Sequence, residues 1–279
     1  MSRTTKFECN LIDFSTPIVI GVLNITTDSF YDGGKYLTSN EIINRVKKIH
    51  KEGAKIIDIG ACSSKPGSTP ISEKKEIEIL LNAIKIVKEC KRELIISIDT
   101  FRSKVAEICV KNGAHIINDI SAGELDVNML KTIIRLNVPY IMMHMKGKPI
   151  NMQENPKYLN IINDINSYFE KKIKILEAGG FKKIILDPGL GFGKTLEHNY
   201  QIIQNIQNIQ SLKYPILIGA SRKSMIYNLL KTNADQALNG TTVINTMSLL
   251  KGAKFLRVHD VKEAIECVKI IEFSKKIIK

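Results

Sequence analysis

The sequence predicts a barrel of eight parallel strands surrounded by helices, and three observations lead to that prediction. Short apolar runs of strand length alternate with amphipathic stretches of helix length along the chain. Eight such pairs occur, and regular alternation of this kind is typical of a parallel sheet. The length of 279 residues suits a single α/β domain, the (β/α)8 or TIM barrel, of about 250 residues. An open, doubly wound sheet is the alternative that periodicity leaves.

The elements follow one another without a linker, so we expect one barrel domain over residues 18–279 after an N-terminal extension over residues 1–17. That extension should form an edge strand or hairpin at the bottom of the barrel. The predicted strands are residues 18–23, 54–59, 94–98, 115–118, 140–143, 183–186, 216–218 and 255–258. The predicted helices are residues 40–52, 72–91, 103–112, 128–136, 158–178, 196–210, 224–251 and 261–275. Three of these helices end at a glycine, which is a common helix stop: Gly53, Gly113 and Gly252.

The formal net charge of +13 raises a nucleic-acid interpretation, because basic surfaces gain binding energy from counterion release at phosphates. The lysines, however, are spread singly or in pairs, mainly in helical stretches such as residues 41–52 and 164–177. We therefore expect solvated helix faces and no nucleic-acid partner. A positive field would still favour small anionic substrates.

We expect a cytoplasmic protein with no membrane partner. The amino terminus does not resemble a secretory signal, and no apolar stretch of about 18 residues occurs. The cysteines are odd in number and lack the CxxC spacing of zinc sites, which argues against a disulfide framework as well. They are Cys9, Cys62, Cys90, Cys109 and Cys267.

The most informative motif is Asp-Pro-Gly-Leu-Gly-Phe-Gly-Lys-Thr at residues 187–195, directly after an apolar run. We expect Asp187 at the carboxyl end of a strand, on a glycine-rich loop that holds a flat polar ligand. A nucleotide-binding Walker loop does not fit, because Pro188 stands where that motif needs a glycine. An Asp-Pro-Gly turn without function is the alternative for this segment alone.

Polar residues follow all eight apolar runs, which is where barrel enzymes place their active sites. Each residue alone suits a cap or a turn, so their joint occurrence on one rim is what indicates a site. They are Asn24 with Asp28; residues 60–67; Asp99 with Thr100 and Arg102; Asn118 with Asp119; His144; Asp187; residues 221–224; and Arg257 with His259.

These segments closely resemble the dihydropteroate synthase family over about residues 18–275. The matching stretches are residues 21–26, 28–30, 32–34, 97–100, 118–120, 143–145, 187–195, 219–224 and 257–260. The resemblance implies a pterin-binding TIM barrel that is a target of sulfonamides. Its reaction joins 4-aminobenzoate to 6-hydroxymethyl-7,8-dihydropterin diphosphate and releases pyrophosphate, on the route to folate.

The resemblance also implies a set of pterin ligands. A pterin offers adjacent N–H donors that a carboxylate can accept as a pair, while an amide answers mixed donor and acceptor positions. Asp187 would bind N3 and the 2-amino group, and Asp99 with Asn118 would bind the N1 and N8 side. Lys223 would lie near O4 and N5, with Met143 as an apolar wall.

By the same resemblance, Arg257 and His259 would bind the diphosphate, and Asn24 would meet it through Mg²⁺, which prefers oxygen ligands. Lys223, Arg257, His259 and Asp99 are the predicted catalytic groups. We expect a dissociative displacement without a covalent enzyme intermediate, and a structural His144 rather than a catalytic base. Phe192 and Ser224 would place 4-aminobenzoate.

The loop of residues 60–67 departs from the family pattern. Where the family has Gly-Gly-Glu-Ser-Thr-Arg-Pro-Gly, this chain has Gly-Ala-Cys-Ser-Ser-Lys-Pro-Gly. Ser64 keeps a hydroxyl for phosphate and Pro66 keeps the turn, whereas Lys65 lacks the bidentate fork of arginine. We expect all three to contact substrate.

Two other functions remain open, and a homodimer is expected because the family is commonly dimeric. A methyltetrahydrofolate-type methyltransferase also holds a pterin in a barrel, but it has no use for residues 221–224 or 257–259. A non-catalytic pterin-binding paralogue is the second alternative.

Overall fold

The computed structural model describes residues 4–6, 11–13, 15–25, 38–61, 71–147, 149, 151–209 and 213–277. An antiparallel hairpin comes first, formed by β1 (Thr4–Lys6) and β2 (Leu11–Asp13). Eight parallel strands follow: β3 (Ile18–Asn24), β4 (Ile56–Gly60), β5 (Ile95–Asp99), β6 (Ile116–Asp119), β7 (Tyr140–Met143), β8 (Ile184–Asp187), β9 (Leu217–Ile218) and β10 (Phe255–Val258). Of the predicted edge strand or hairpin, the structure has the hairpin, whereas its position at the bottom of the barrel and the boundary between extension and domain stay predictions.

The parallel strands close into a barrel. Their order in the sheet is β8-β7-β6-β5-β4-β3-β10-β9. A parallel bridge from Leu186 to Ile216 then joins the two ends, and the Leu186 N–H donates to the Pro215 carbonyl at 2.9 Å. This confirms the predicted TIM barrel over the open, doubly wound sheet.

The helices between the strands are α1 (Ser39–Lys51), α2 (Glu73–Cys90), α3 (Ser103–Lys111), α4 (Met129–Leu136), α5 (Ile161–Ala178), α6 (Leu196–Gln204), α7 (Ile206–Ile209), α8 (Ser224–Tyr227), α9 (Leu238–Leu250) and α10 (Val261–Ile277). Side-chain oxygens cap several helix starts, as the sequence suggests. Thr38 and Glu41 form a capping box at α1, and Thr195 caps α6 directly after the glycine-rich loop.

The single helix predicted over residues 224–251 is wrong, because α8 ends at Tyr227 and α9 begins at Leu238. Lys231 takes a left-handed conformation with φ 53°, which breaks the helix between them. The carbonyls of Ala234 and Asp235 accept hydrogen bonds from the Arg222 guanidinium, so tertiary contacts fix the intervening segment. The predicted helix over residues 196–210 is likewise divided at Asn205.

The barrel interior has an apolar lower part and a polar upper part. Side chains alternate between the two faces of each strand, so every second residue points inward. The lower interior is a cluster of Ile18, Ile20, Ile56, Ile95, Ile116, Ile141, Ile185, Leu217 and Phe255. Above it, towards the carboxyl ends, the inward positions turn polar, beginning with Asp58 and Ser97. This change of composition places the site.

Among the described residues, no helix combines the length and apolar character that crossing a membrane requires.

Candidate active site at the barrel mouth

Four of the predicted residues meet inside the barrel mouth because each ends a strand or lies one position before its end. Asp99 is the last residue of β5 and pairs in register with Asn118 of β6. Asp187 ends β8, and Arg257 lies on β10. Asn118 and Asp187 are almost fully buried. The closed sheet therefore brings together residues that are up to 158 positions apart in sequence.

Arg257 joins two carboxylates across the interior. Its Nε donates to Asp58 Oδ2 at 2.6 Å, and its Nη2 donates to Asp99 Oδ2 at 2.8 Å. Burial lowers the pKa of Arg257, but the carboxylates of Asp58 and Asp99 raise it by more. The net shift is upward, so the guanidinium stays charged. Arg257, which the resemblance assigns to the diphosphate, therefore pairs in this structure with two carboxylates. One of them belongs to Asp99, a predicted pterin ligand.

Asp58 was missed by the sequence reasoning, although the sequence carried a signal for it. It is a carboxylate within the apolar run Ile-Ile-Asp-Ile, two positions after the inward-facing Ile56. Because charged residues are rarely fully buried without a partner, such a position predicts a buried ion pair. Asp58 also accepts a hydrogen bond from Asn118 Nδ2 at 3.0 Å, which leaves the side-chain oxygen of Asn118, Oδ1, for a ligand.

Asp187 is held by the turn that follows it. The Gly189 N–H donates to its Oδ1 at 2.7 Å, and Gly189 has φ 69°, a conformation that favours glycine. A Cβ at Gly189 would lie 2.0 Å from the His144 carbonyl oxygen, so no other residue fits. The Asp-Pro-Gly turn and the candidate ligand are therefore one device, because the turn aims the carboxylate.

Gly219 leaves space beside that carboxylate. A Cβ built there would lie 4.0 Å from Asp187 Oδ2 and 4.0 Å from Lys223 Nζ, and 3.9 Å from Arg257 Cβ. These distances mean that the acid, the lysine and the arginine border one small space that Gly219 leaves unfilled. Sequence reasoning did not single out Gly219.

Burial shifts the charges around this space. It raises the pKa of Asp99 to about 7, although the Arg257 guanidinium lowers it, and it also raises the pKa of Asp187. It lowers the pKa of Lys223 to about 8, while Asp187 acts in the opposite direction. Perturbed groups of this kind cluster at functional sites.

An apolar wall stands on one side of the mouth. Met143 is buried with Ile120, Met145 and Met152, and Phe192 packs against this cluster. The ammonium of Lys223 lies over the Phe192 ring, 4.6 Å from its centroid. The structure thus brings together Met143, Phe192 and Lys223, three of the predicted substrate-binding residues.

His259 lies at the end of β10 between two braces. Its Nδ1 lies 3.1 Å from Ser221 Oγ, and its carbonyl accepts from Arg45 Nη2 at 2.8 Å. Burial lowers the pKa of His259 to about 3, with Arg257 and Arg45 acting in the same direction. The ring is therefore neutral near pH 7 and offers a hydrogen bond rather than a charge.

Arg222 is a brace and not a ligand, although it lies in the Ser-Arg-Lys-Ser motif. It is buried with φ 54°, and its guanidinium binds both oxygens of Asp260, Nε at 2.8 Å and Nη2 at 3.0 Å. The next two residues, Lys223 and Ser224, lie at the start of α8, and the Lys223 ammonium borders the space beside Gly219. Ser224 is half-buried.

His144 is buried beneath the glycine-rich loop. Its Nδ1 lies 3.1 Å from Lys194 Nζ, and burial lowers its pKa to about 2, with Lys194 acting in the same direction. A ring that stays neutral and enclosed at working pH supports the structural role that we expected.

Asn24 ends β3 and is the predicted contact for a metal ion. Its Oδ1 and Asp99 Oδ2 border one space, 3.4 Å and 3.7 Å from a Cβ built at Gly60. Oxygen donors suit Mg²⁺, which commonly takes only one or two protein ligands beside substrate phosphates and water. Within the described part of the chain, no group of three or more His, Cys, Asp or Glu residues forms a metal cage. A single amide oxygen therefore fits a substrate-carried ion. Ser64, Lys65, Pro66 and Asp28 lie outside the described residues.

Comparison with known proteins identifies the family. The model for pterin-binding enzymes matches residues 20–259. The dihydropteroate synthase of Escherichia coli strain K12 is 38% identical over 266 residues, covering 94% of this chain and 93% of that protein.

Solved structures agree with that match over nearly the whole chain. The Yersinia pestis dihydropteroate synthase in a sulfonamide drug complex is 34% identical, with a TM-score of 0.93, and the match covers 98% of this chain and 99% of that one. The Xanthomonas albilineans dihydropteroate synthase with 4-aminobenzoic acid is 29% identical, with a TM-score of 0.90 and 99% of each chain covered. The chain therefore belongs to the pterin-binding enzymes and, within them, to the dihydropteroate synthase family of transferases.

Proposed function

We propose that the barrel mouth condenses 6-hydroxymethyl-7,8-dihydropterin diphosphate with 4-aminobenzoate to give 7,8-dihydropteroate and pyrophosphate. The observation that carries this proposal is the arrangement of Asp187, Asp99 and Asn118 around one buried space with Lys223 at its edge. A flat heterocycle with hydrogen-bonding groups on several edges fits such a space, whereas a purely apolar ligand would leave the carboxylates unpaired.

Asp187 binds the 2-amino and N3 edge of the pterin in this proposal. Gly189 already occupies its Oδ1, and Oδ2 faces the space beside Gly219. Asp99 and the Asn118 side-chain amide take the N1 and N8 side, and Lys223 takes O4 and N5. Support for a polar ligand comes from Asp58 Oδ1 and Ser97 Oγ, which are buried without a hydrogen-bond partner among the described residues.

His259 and Arg257 bind the diphosphate end. His259 donates a hydrogen bond through Nε2 when its Nδ1 accepts a hydrogen bond from the Ser221 hydroxyl. The positive charge of the Arg257 guanidinium attracts the diphosphate from inside the barrel mouth. Asn24 would hold Mg²⁺ through its amide oxygen, and the ion, when bound, would supply positive charge for the departing diphosphate. Ser64, Lys65 and Pro66 contact substrate from the preceding loop.

The reaction runs by cleavage ahead of attack. The bond between the C6 methylene carbon and the diphosphate oxygen breaks, and the electron pair leaves with pyrophosphate. The electron-rich dihydropterin ring carries the developing positive charge, which the ionised Asp99 stabilises. The neutral amine of 4-aminobenzoate then bonds to the methylene carbon and loses one proton to solvent.

Phe192 and Ser224 place 4-aminobenzoate above the pterin. The Phe192 ring offers an apolar face, and the Ser224 hydroxyl would donate to the carboxylate together with the Lys223 ammonium, which lies over that ring. Lys223 thereby links the two substrate positions.

A homodimer through α9 and α10 completes the proposal. These helices expose large apolar side chains that a monomer leaves in water: Val243, Leu250, Ile270, Phe273 and Ile277. Ile270, Phe273 and Ile277 line one apolar depression. Phe273→Glu should convert a dimer to a monomer in light scattering, and an unchanged mass would remove this face from consideration. A cytoplasmic location, supported by the scattered cysteines, is part of the same proposal.

Pyrophosphate release tests the function. Purified protein with the dihydropterin diphosphate and Mg²⁺ should release pyrophosphate only when 4-aminobenzoate is added, with one dihydropteroate formed for each pyrophosphate. Release without the arylamine would contradict the condensation. Pterin binding without release would favour a non-catalytic paralogue, and methyl transfer from methyltetrahydrofolate would favour the methyltransferase.

A further inference from the structure

The glycine-rich loop after β8 has an unusual hydrogen-bonding pattern that no motif revealed. Four successive carbonyl oxygens, from residue 190 to residue 193, each accept a hydrogen bond from a different side chain. The Lys223 ammonium donates to Leu190 O at 2.7 Å, and Gln153 Nε2 donates to Gly191 O. The Lys194 ammonium donates to Phe192 O at 2.9 Å, and the Tyr158 hydroxyl donates to Gly193 O at 2.7 Å.

This pattern follows from the glycines. Gly189, Gly191 and Gly193 all have positive φ, between 63° and 80°, so the loop forms neither helix nor strand. Its carbonyls have no partners within a helix or strand, and those of the buried Leu190 and Gly193 need partners from elsewhere, since unpaired buried backbone groups are costly. Glycines also leave a loop with more freedom in the unbound state than other residues do. The four donors remove that freedom.

The residue held in the middle of this loop is Phe192. Both of its neighbours are glycines, and its own N–H donates to Gly189 O at 3.1 Å. Lys223 binds the loop at Leu190 and also lies over the Phe192 ring. The position of the ring is therefore set by the bonds to the carbonyls around it.

Two of the four donors come from the segment between β7 and α5, residues 144–160. Gln153 is exposed there, and Tyr158 is half-buried, with its ring 4.9 Å from the His198 ring and under the Lys146 ammonium at 4.4 Å. Gln153 and Tyr158 thus bind the loop from this segment, while Lys194, which also contacts His144, binds the loop at the Phe192 carbonyl.

We infer that Tyr158 and Gln153 are positioning residues for the arylamine, which fix Phe192 through the carbonyls of Gly193 and Gly191. This inference rests on the proposed function, in which Phe192 forms one wall of the 4-aminobenzoate site. Neither residue touches substrate. Their effect is to preform the wall before the arylamine arrives, which reduces the ordering cost of binding.

Tyr158→Phe tests the inference because it removes one hydroxyl and keeps the ring. We expect the KM for 4-aminobenzoate to rise about 3- to 10-fold, the range that one neutral hydrogen bond supports. The Kd of the dihydropterin diphosphate should stay unchanged, and kcat should change less than about 2-fold. The reason is that the lost hydrogen bond affects only the binding of the arylamine. Gln153→Met, at an exposed position that leaves the fold intact, should shift the same KM in the same direction.

Tyr168→Phe is the matched control. Its hydroxyl also donates to a backbone carbonyl, Ser121 O at 2.8 Å, and its ring also packs against His144, with the centroids 4.9 Å apart. It does not bind the glycine-rich loop, so the KM for 4-aminobenzoate should match the wild type.

Three results would overturn the inference: wild-type KM values in both Tyr158→Phe and Gln153→Met, an equal rise in Tyr168→Phe, or an equal loss of pterin affinity. If the wild-type chain itself shows no arylamine-dependent release, the proposed function fails and this inference fails with it. Arylamine-dependent release by the wild type, together with an unchanged KM for 4-aminobenzoate in Tyr158→Phe and Gln153→Met, would remove the inference alone.

Discussion

Arg257 and Asp58 form an ion pair inside the barrel mouth, with Nε and Oδ2 2.6 Å apart although the residues are separated by 199 positions. The same guanidinium holds Asp99 through Nη2. One cation thus serves two carboxylates, one of which is a candidate pterin ligand, so the pair is part of the site as well as of the fold.

Arg257→Met should destabilise the protein by about 3 to 5 kcal/mol, because it leaves two buried carboxylates without their cation. Urea unfolding followed by circular dichroism measures this loss. The double variant Asp58→Asn/Arg257→Met should recover part of it by removing one of the unpaired charges. A loss below about 1 kcal/mol in the single variant would mean that the carboxylates do not depend on Arg257.

Asp187→Asn should weaken binding of the dihydropterin diphosphate by at least about 100-fold, since an amide N–H then faces the ligand's own donors. Isothermal titration calorimetry measures the affinity, and thermal unfolding checks that the fold survives. Unchanged affinity in a folded variant would refute the placement of the pterin edge at Asp187.

The pH dependence of kcat/KM for the dihydropterin diphosphate should be bell-shaped with a narrow maximum. Burial raises the pKa of Asp99 to about 7, so its carboxylate is ionised only above that pH. Burial lowers the pKa of Lys223 to about 8, so its ammonium is lost above that pH. Activity should therefore rise up to about pH 7 and fall beyond about pH 8.

Lys223→Arg offers a control for that profile, because arginine keeps its charge throughout the range. In this variant the alkaline fall in activity should shift to higher pH, while the acid limb stays near pH 7. A level profile between about pH 6 and pH 9 in the wild type would contradict the assignment of both groups.

Gly219→Ala should weaken pterin binding by at least about 10-fold with little effect on stability. The added Cβ makes only ordinary van der Waals contacts with the protein, 3.9 to 4.0 Å away, but it occupies the space beside Asp187. Inserting one methyl group into a well-packed site commonly costs about 1 to 3 kcal/mol. Wild-type affinity in this variant, measured by calorimetry, would show that the pterin lies elsewhere.

Asp260→Asn should destabilise the protein by about 1.5 to 3 kcal/mol, because the buried Arg222 loses its charged partner. It should also raise the KM for 4-aminobenzoate, since Arg222 directs Lys223 and Ser224 into the site. Glu266→Gln, at the exposed pair with Lys262, is the control and should have no measurable effect. Equal stability of both variants would show that the brace contributes nothing.

The fold and part of the site were predictable because they depend on local patterns. Asp99 and Asp187 follow apolar runs, and a polar residue after a buried strand lies at the barrel mouth by construction. The break between α8 and α9 was not predictable, because contacts from Arg222 to Ala234 and Asp235 decide it.

The rest of the site depends on partners distant in sequence. The position of Asp58 in an apolar run indicates a buried ion pair, but its partner Arg257 lies on β10, two strands away in the barrel and 199 positions away in sequence. Tyr158 and Gln153 lie in a segment without a motif, and their contacts depend on the path of two loops. The sequence of either segment alone does not predict these hydrogen bonds between the two loops.

The most direct test of the central claim is a crystal structure of the chain with 6-hydroxymethylpterin diphosphate, whose oxidised ring does not support the cation. We predict the 2-amino group and N3 within hydrogen-bond distance of Asp187, with the diphosphate beside His259. A pterin bound outside the barrel mouth, or turned so that its 2-amino group faces Arg257, would contradict this account.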